Sequence, residues 1–378
     1  MSRHLGGSIT VFTACLLVVA GLAVDACSTA TEPRLSVNAA RGKADRHHPR
    51  RIRIGLIANT LDAGPEAESL QTEVRRSGAR WLREEFRWNE VEPRPGELQW
   101  QKIDRMMREA AARRLRVLPL LIGTPAWAAP SMLEIPANPQ GFARFTARVA
   151  RRYGPDGLFW RRLPRSRRHL APRVFEVWNE PFTPQFSAGQ VSAPRYAQLF
   201  YATATAGRRA NPQTRYLLAV DSAYTSADGS LREWIPDLLD ALPKLRRVAY
   251  GLAMHPYSVT ESPTTYTPGA AQRQFLRLRE VRDAWGGSPR IWVTELGWST
   301  CPEGTGCISE ADQARYLNEA FQVVHSEPLG VQAMFIYRLR DLEPGNPSDR
   351  EQWFGLLRRD GTPKPAWGTL QMIARRVR

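Results

Sequence analysis

Cysteine is scarce in this chain, with four residues in 378. Cys15 and Cys27 fall near the N-terminus, which leaves Cys301 and Cys307 for the body of the protein. Two sulfurs with no histidine nearby in sequence exclude the usual four-ligand zinc site. Nor is there an apolar run of comfortable membrane-spanning length, because the stretch from Ile9 to Val24 falls short of the roughly 20 residues needed. Arg3 and His4 precede it, and small residues around Ala26, Cys27, Ser28 and Ala30 follow it. That layout predicts an export signal over 1–26, with an uncleaved anchor as the alternative. Val24-Asp25-Ala26-Cys27 also has the form of a lipoprotein cleavage box, in which Cys27 would be lipidated and tether the chain to a membrane; Asp25 is an unusual occupant of it. An exported chain that keeps Cys301 and Cys307 in one glycine-containing loop is expected to oxidise them to a disulfide.

Lysine is nearly missing too, occurring only at positions 43, 102, 244 and 364, so the formal charge of +16 rests on arginine. One reading is a basic surface that attracts acidic glycans or anionic lipid headgroups. The other is arginine-biased codon usage spread over solvated faces, and dispersal of the arginines along the whole chain favours it. No nucleic-acid-binding motif accompanies the charge, and export argues against such a partner. Internal repeats and a second domain are absent as well, which makes a monomer with one catalytic domain the expectation.

What is present begins with a tether. Residues 27–50 carry Pro33, Arg41, Lys43, Arg46, His47, His48 and Pro49 among few large apolar residues, and read as a flexible basic linker. From residue 51 to the C-terminus, short apolar runs alternate with longer amphipathic stretches. The runs are Ile52–Ala58, Ala79–Phe86, Val117–Ile122, Val174–Trp178, Tyr216–Val220, Val248–Met254, Ile291–Thr294 and Val331–Tyr337. Helical stretches are predicted over 66–77, 103–114, 141–153, 195–210, 231–242, 272–284 and 311–325, with a closing helix over 366–377. Eight strands alternating with helices predict an α/β fold, the (β/α)8 or TIM barrel.

Active sites of such barrels sit at the C-terminal ends of the strands. Run four ends in Trp178-Asn179-Glu180-Pro181 and run seven in Thr294-Glu295-Leu296-Gly297-Trp298. Two carboxylates on separated strand ends can face each other across the mouth, as glycosidic cleavage by double displacement requires. Trp88, Trp127, Trp178 and Trp298 also fall at or just past strand ends, where about half of them are expected to stack on sugar rings and the rest to be core.

These residues resemble clan A glycoside hydrolases, most of all family 39, with family 5 cellulases more distant. The resemblance runs from Ile54 to the C-terminus. It includes Arg83, Trp88 to Trp100 with Glu92, Pro93 and Gly96, Tyr153-Gly154-Pro155, Trp178 to Pro181, His255-Pro256-Tyr257, Thr294 to Trp298, Phe354-Gly355-Leu356 and Pro363 to Ala366. It implies a retaining O-glycosyl hydrolase without a metal or other cofactor, acting on an extracellular polysaccharide or oligosaccharide. Glu180 would be the acid/base and Glu295 the nucleophile. Asn179 would bind the sugar 2-hydroxyl, Arg83 would hold Glu295 ionised, and Tyr257 would donate a hydrogen bond to it. His255 is a candidate for direct substrate contact or for a backbone-bonded rim position. Many clan members end strand eight in a tryptophan, where this chain has Tyr337. The charges that follow, Arg338, Arg340 and Asp341, would reach a uronic acid or a sulfate, or else pair with one another. A non-catalytic glycan-binding barrel and a transglycosylase using the same two glutamates are the alternatives.

Overall fold

The computed structural model describes residues 52–226, 228–257, 270–304, 306–343 and 347–377. The leader, Cys27 and the linker lie outside the described residues.

Eight parallel strands form a closed barrel: β1 (Arg53–Ile57), β2 (Trp81–Arg87), β3 (Arg116–Ile122), β4 (Val174–Val177), β5 (Arg215–Ala219), β6 (Gly251–Met254), β7 (Ile291–Leu296) and β8 (Val331–Ile336). Each pairs with the next in sequence, and β8 closes on β1 from Arg53↔Ala333 to Leu56↔Ile336. The fold is therefore the expected (β/α)8 barrel. Strand β3, Arg-Val-Leu-Pro-Leu-Leu-Ile, is buried at every position after the first, as a strand covered on both faces must be.

The principal helices are α1 (Ala67–Arg76), α2 (Gln101–Ala112), α3 (Gln140–Tyr153), α4 (Ala193–Ala210), α5 (Trp234–Ala241), α6 (Ala270–Trp285), α7 (Glu310–Ser326) and α8 (Pro365–Arg376). Helix α2 shows why they dock: Ile103, Met106, Met107, Ala110 and Ala111 are spaced to form one apolar stripe, and all are buried. Ser192 and Ser309 cap α4 and α7 by accepting from the backbone N–H three residues on.

Two boundaries differ from expectation. The stretch predicted as a helix over 231–242 begins as the second strand of a small antiparallel hairpin, Ala223–Thr225 with Leu231–Glu233, and helix α5 starts only at Trp234. Asp228-Gly229 makes the turn, with Gly229 at φ +83° and the Asp228 carboxylate accepting from the Ser230 N–H. The run predicted as a strand from Val248 has a helical turn at Leu245–Val248, so β6 begins at Gly251.

Inside the barrel, Leu118, Val174, Leu217, Ala253, Trp292, Ala333 and Phe335 form an apolar plug. Gly55 makes room for it, since a Cβ there would lie 2.3 Å from the Phe335 ring. Two residues further on, β2, β4, β6 and β7 lead to Arg83, Glu176, His255 and Thr294, and with these polar residues the site begins.

Candidate active site

Side chains alternate along β2, so Trp81 packs against the plug and Arg83, two residues on, points into the same interior one layer higher. Arg83 is 5% exposed and bonds to three acceptors. Its Nε donates to Glu176 Oε2 at 2.6 Å, Nη1 to Glu295 Oε1 at 2.6 Å, and Nη2 to Asn179 Oδ1 at 2.8 Å and Glu176 Oε1 at 3.1 Å. A guanidinium suits this task because its rigid fork presents five N–H donors in one plane. Glu176 stands one layer above Val174 on β4 and also accepts from Thr294 Oγ1 at 2.9 Å.

Strict alternation would send Thr294 and Glu295 to opposite faces of β7. The register shifts there, with Val293 to Leu296 opposing only Met334 to Ile336 of β8. Such a bulge re-aims a side chain, and both residues reach the interior. Glu295 Oε2 accepts from the Tyr257 hydroxyl at 3.1 Å. Gly297 follows, where a Cβ would sit 1.9 Å from the Tyr337 carbonyl oxygen, so only glycine lets the chain turn against β8.

Glu180 lies just past β4, where the backbone turns sharply: Trp178 has φ +65° and Glu180 φ +36°. Positive φ is costly for residues with a Cβ, and it clusters at functional sites. The Glu180 carbonyl accepts from the Thr183 N–H at 2.9 Å, which pins the turn. One oxygen of Glu180 and one of Glu295 lie within 4.8 Å of each other, and of a ring nitrogen of His255. His255 Nδ1 is 2.7 Å from Glu180 Oε1 and 3.7 Å from Glu295 Oε2, while its Nε2 is 3.8 Å from Glu176 Oε1.

Burial disfavours charge on the His255 ring, but the charge of Glu295 and hydrogen bonding to Glu176 and Glu180 outweigh it, raising its pKa from 6.5 to about 10. The raised pKa favours the protonated ring, with Nδ1 facing Glu180 and Nε2 3.5 Å from Arg83 Nη2. Glu176 is also buried, yet the Arg83 charge overcomes desolvation and holds its pKa at about 2. Two basic groups thus face a fixed anion and two further glutamates. Glu180, His255 and Glu295 are the one trio among the described residues with the spacing of metal ligands, and each already has a partner inside the cluster, Glu180 and His255 in each other and Glu295 in Arg83.

Of the predicted site residues, Glu180, Glu295, Asn179, Arg83, His255 and Tyr257 come together in this one hydrogen-bonded cluster. The tryptophans do not join it as expected. Trp88, Trp178 and Trp298 are 1%, 0% and 3% exposed, so none offers a free face to a sugar ring. Trp88 bonds to Glu92 and packs on Phe142 and Phe145, Trp178 bonds to the Phe186 carbonyl, and Trp298 packs on Tyr316. Trp127 alone of the four is exposed, held edge-on against Trp88 with its Nε1 bonded to the Glu92 carbonyl. Tyr337 is buried against Phe354 and donates to Glu351 Oε2. Arg340 and Asp341 do not pair with each other: Arg340 binds Glu73, and Asp341 binds Lys364. Arg338 lies over the Tyr337 ring. Cys301 and Cys307 are disulfide-bonded in the loop after β7.

Three residues of the site were not expected. Glu176 could have been found, since a carboxylate inside a buried strand demands a cation. Arg277 on α6 binds Asp221, past the end of β5, and donates to the Tyr257 carbonyl at 2.7 Å, so it fixes the residue that contacts Glu295. Glu351 is a buried carboxyl whose pKa burial raises to about 8, with the nearby Glu295 charge adding to the rise.

No protein-family model matches this chain, and no curated protein is similar to it in sequence. Solved structures are similar in fold. A family 39 glycoside hydrolase from the gut symbiont Bacteroides cellulosilyticus WH2 superposes with a TM-score of 0.63 at 19% identity, over 86% of this chain and 64% of that one. The fold is shared with clan A glycoside hydrolases. A monomeric β-xylosidase from Caulobacter crescentus CB15 gives 0.63 at 19% identity, over 85% of this chain and 67% of the enzyme. A GH5_18 protein from Bifidobacterium longum subsp. infantis gives 0.63 at 14%, over 86% and 79%. The chain thus spans under two thirds of the Bacteroides hydrolase.

Proposed function

We propose that the chain is a retaining O-glycoside hydrolase that acts outside the cytoplasm on a polysaccharide or oligosaccharide. The observation that carries this reading is the pair of carboxylates, Glu180 and Glu295, with oxygens within 4.8 Å and unequal surroundings. Retaining enzymes hold their two carboxyl groups about 5 to 5.5 Å apart, whereas inversion needs room for a water between them. Glu295 receives hydrogen bonds from Arg83 and Tyr257, which aim it as the nucleophile. Glu180, on the opposite wall, protonates the leaving oxygen while Glu295 bonds to the anomeric carbon. It then takes the proton of the water that releases the sugar. Arg83 holds Asn179 by its carbonyl oxygen, leaving the amide N–H2 for the sugar 2-hydroxyl. The Cys301–Cys307 bond agrees with export to an oxidising compartment.

The test is a panel of aryl glycosides and bacterial exopolysaccharides, with proton NMR of the first product formed. Release of the same anomer as the substrate is expected; the opposite anomer, or no turnover of any member, would overturn the reading.

A further inference from the structure

Arginines dispersed along the sequence are not dispersed on the fold. In a barrel of this kind, every connection from a helix into a strand lies at one end and every connection from a strand into a helix at the other. The helix-to-strand connections (77–80, 113–115, 154–173, 211–214, 242–250, 286–290 and 327–330) contain 13 Lys or Arg and two Asp or Glu. Among the described residues the strand-to-helix connections (58–66, 88–100, 123–139, 178–192, 220–233, 255–257, 297–309 and 337–364) contain eight and 16. The molecule is therefore electrically polar along the barrel axis, acidic at the catalytic mouth and basic at the floor.

Six arginines of this face are also without a carboxylate partner. Arg53, Arg80, Arg116, Arg173, Arg215 and Arg290 each open a strand or immediately precede one. Among the described residues none of the six forms an ion pair. Arg53, Arg80, Arg116 and Arg215 donate instead to backbone carbonyls. Arg53, Arg116 and Arg290 lie over Trp292, Trp81 and Tyr250. Arg173, Arg215 and Arg290 are exposed and the other three half-buried. Burial, then the charges of Arg53 and Arg173, lower the pKa of Arg116, which marks these three as close neighbours. Attraction to the carbonyl ends of helices explains arginines in a helix's last turn, but not six that stand at strand entries. At the mouth the pattern reverses, and Arg83, Arg340, Arg358, Arg359 and Lys364 all have carboxylate partners.

We infer that the barrel floor docks on an anionic lipid surface, with the catalytic mouth facing away from it. Charge complementarity supplies the attraction, since basic residues near anionic headgroups each strengthen association roughly fivefold. Continuity of the chain favours lipid over another polyanion. The sequence enters the barrel at Ile52, on this face, directly after the basic segment 27–50 and the apolar run Ile9–Val24. A polybasic stretch beside an apolar or lipid anchor is the usual pairing of two weak membrane signals. The orientation is favourable for an enzyme acting on an external polymer, since the acidic mouth turns from the negative surface. The docking inference itself does not depend on the proposed glycosidase activity.

The experiment sediments the full chain with phosphatidylcholine vesicles and with vesicles containing about 30% phosphatidylglycerol, at about 0.1 M salt and again at about 0.5 M. Association is expected to be at least tenfold stronger with the anionic vesicles at low salt and to fall at high salt. Replacing Arg165, which is exposed in the 154–173 connection, together with Arg173, Arg215 and Arg290 by Gln should remove that preference. Replacing the same four by Lys should keep it, as should Arg358→Gln with Arg359→Gln at the mouth. Melting curves establish that each variant is folded. Equal binding to both vesicle types would overturn the inference, as would an unchanged preference in the folded Gln variant. Retention on heparin without association with anionic vesicles would assign the floor to a soluble polyanion instead.

Discussion

Replacing Arg83 by Met removes the guanidinium that bonds to both Glu176 and Glu295 and leaves only the His255 ring beside them, at a cost set by what is left behind. Glu176 has 1% side-chain exposure and cannot turn to water. Its pKa is held at about 2 against an ordinary 4.5, a displacement equivalent to about 3 kcal/mol. Breaking a buried pair by deleting one partner costs about 3 to 5 kcal/mol, because the survivor is an uncompensated buried charge. The two routes agree, so Arg83→Met should lose about 3 kcal/mol or more in urea unfolding at pH 7. Most of that penalty belongs to the orphaned carboxylate. Adding Glu176→Gln to Arg83→Met should therefore restore part of the stability, even though each change alone destabilises. Arg83→Lys should fall between, since one ammonium cannot span Glu176, Glu295 and Asn179 in a single plane. A loss below about 1 kcal/mol for Arg83→Met would refute the reasoning. So would a double variant no more stable than the single one.

Glu180→Gln should nearly abolish cleavage of natural glycans but spare the first step on substrates with activated leaving groups, which need little protonation; equal loss on both would reverse the roles. Stability should also depend on pH in two separate windows. The Glu176 contribution is complete above pH 4.5 and lost as pH falls through about 2. The His255 contribution is complete below pH 6.5 and lost as pH rises through about 10, a fall that His255→Gln should flatten in denaturant titrations. Reducing the Cys301–Cys307 bond should destabilise the loop after β7 by roughly 2 kcal/mol or less, because it closes so short a loop. Mass spectrometry finding both thiols free in protein from an oxidising compartment would refute that bond.

The barrel was legible in the sequence because its period is long and repeated: each buried parallel strand reads as a short apolar run, and each helix as an amphipathic one. Glu180 and Glu295 were legible for the same reason, since each ends such a run. The errors have local causes. Leu231-Arg232-Glu233 has ordinary helix-forming residues, and only the Asp228-Gly229 turn pairs it into a hairpin. Aromatic residues at strand ends look alike whether they face the cleft or the helices; Phe142 and Phe145 bury Trp88, and they stand more than 50 positions away. The bulge that turns Glu295 inward leaves no mark on composition. Arginines that look scattered when counted along the chain recur at the entries of six of the eight strands, and only the closed topology gathers them at one end.

The central claim is that Glu295 forms a bond to the sugar. The direct measurement is to incubate the protein with the 2-deoxy-2-fluoro analogue of whichever aryl glycoside it turns over, digest it, and locate the label by mass spectrometry. The account predicts time-dependent inactivation with one sugar per chain, attached to Glu295, and no labelling of Glu295→Ala. A label on Glu180 or on any other residue would contradict it.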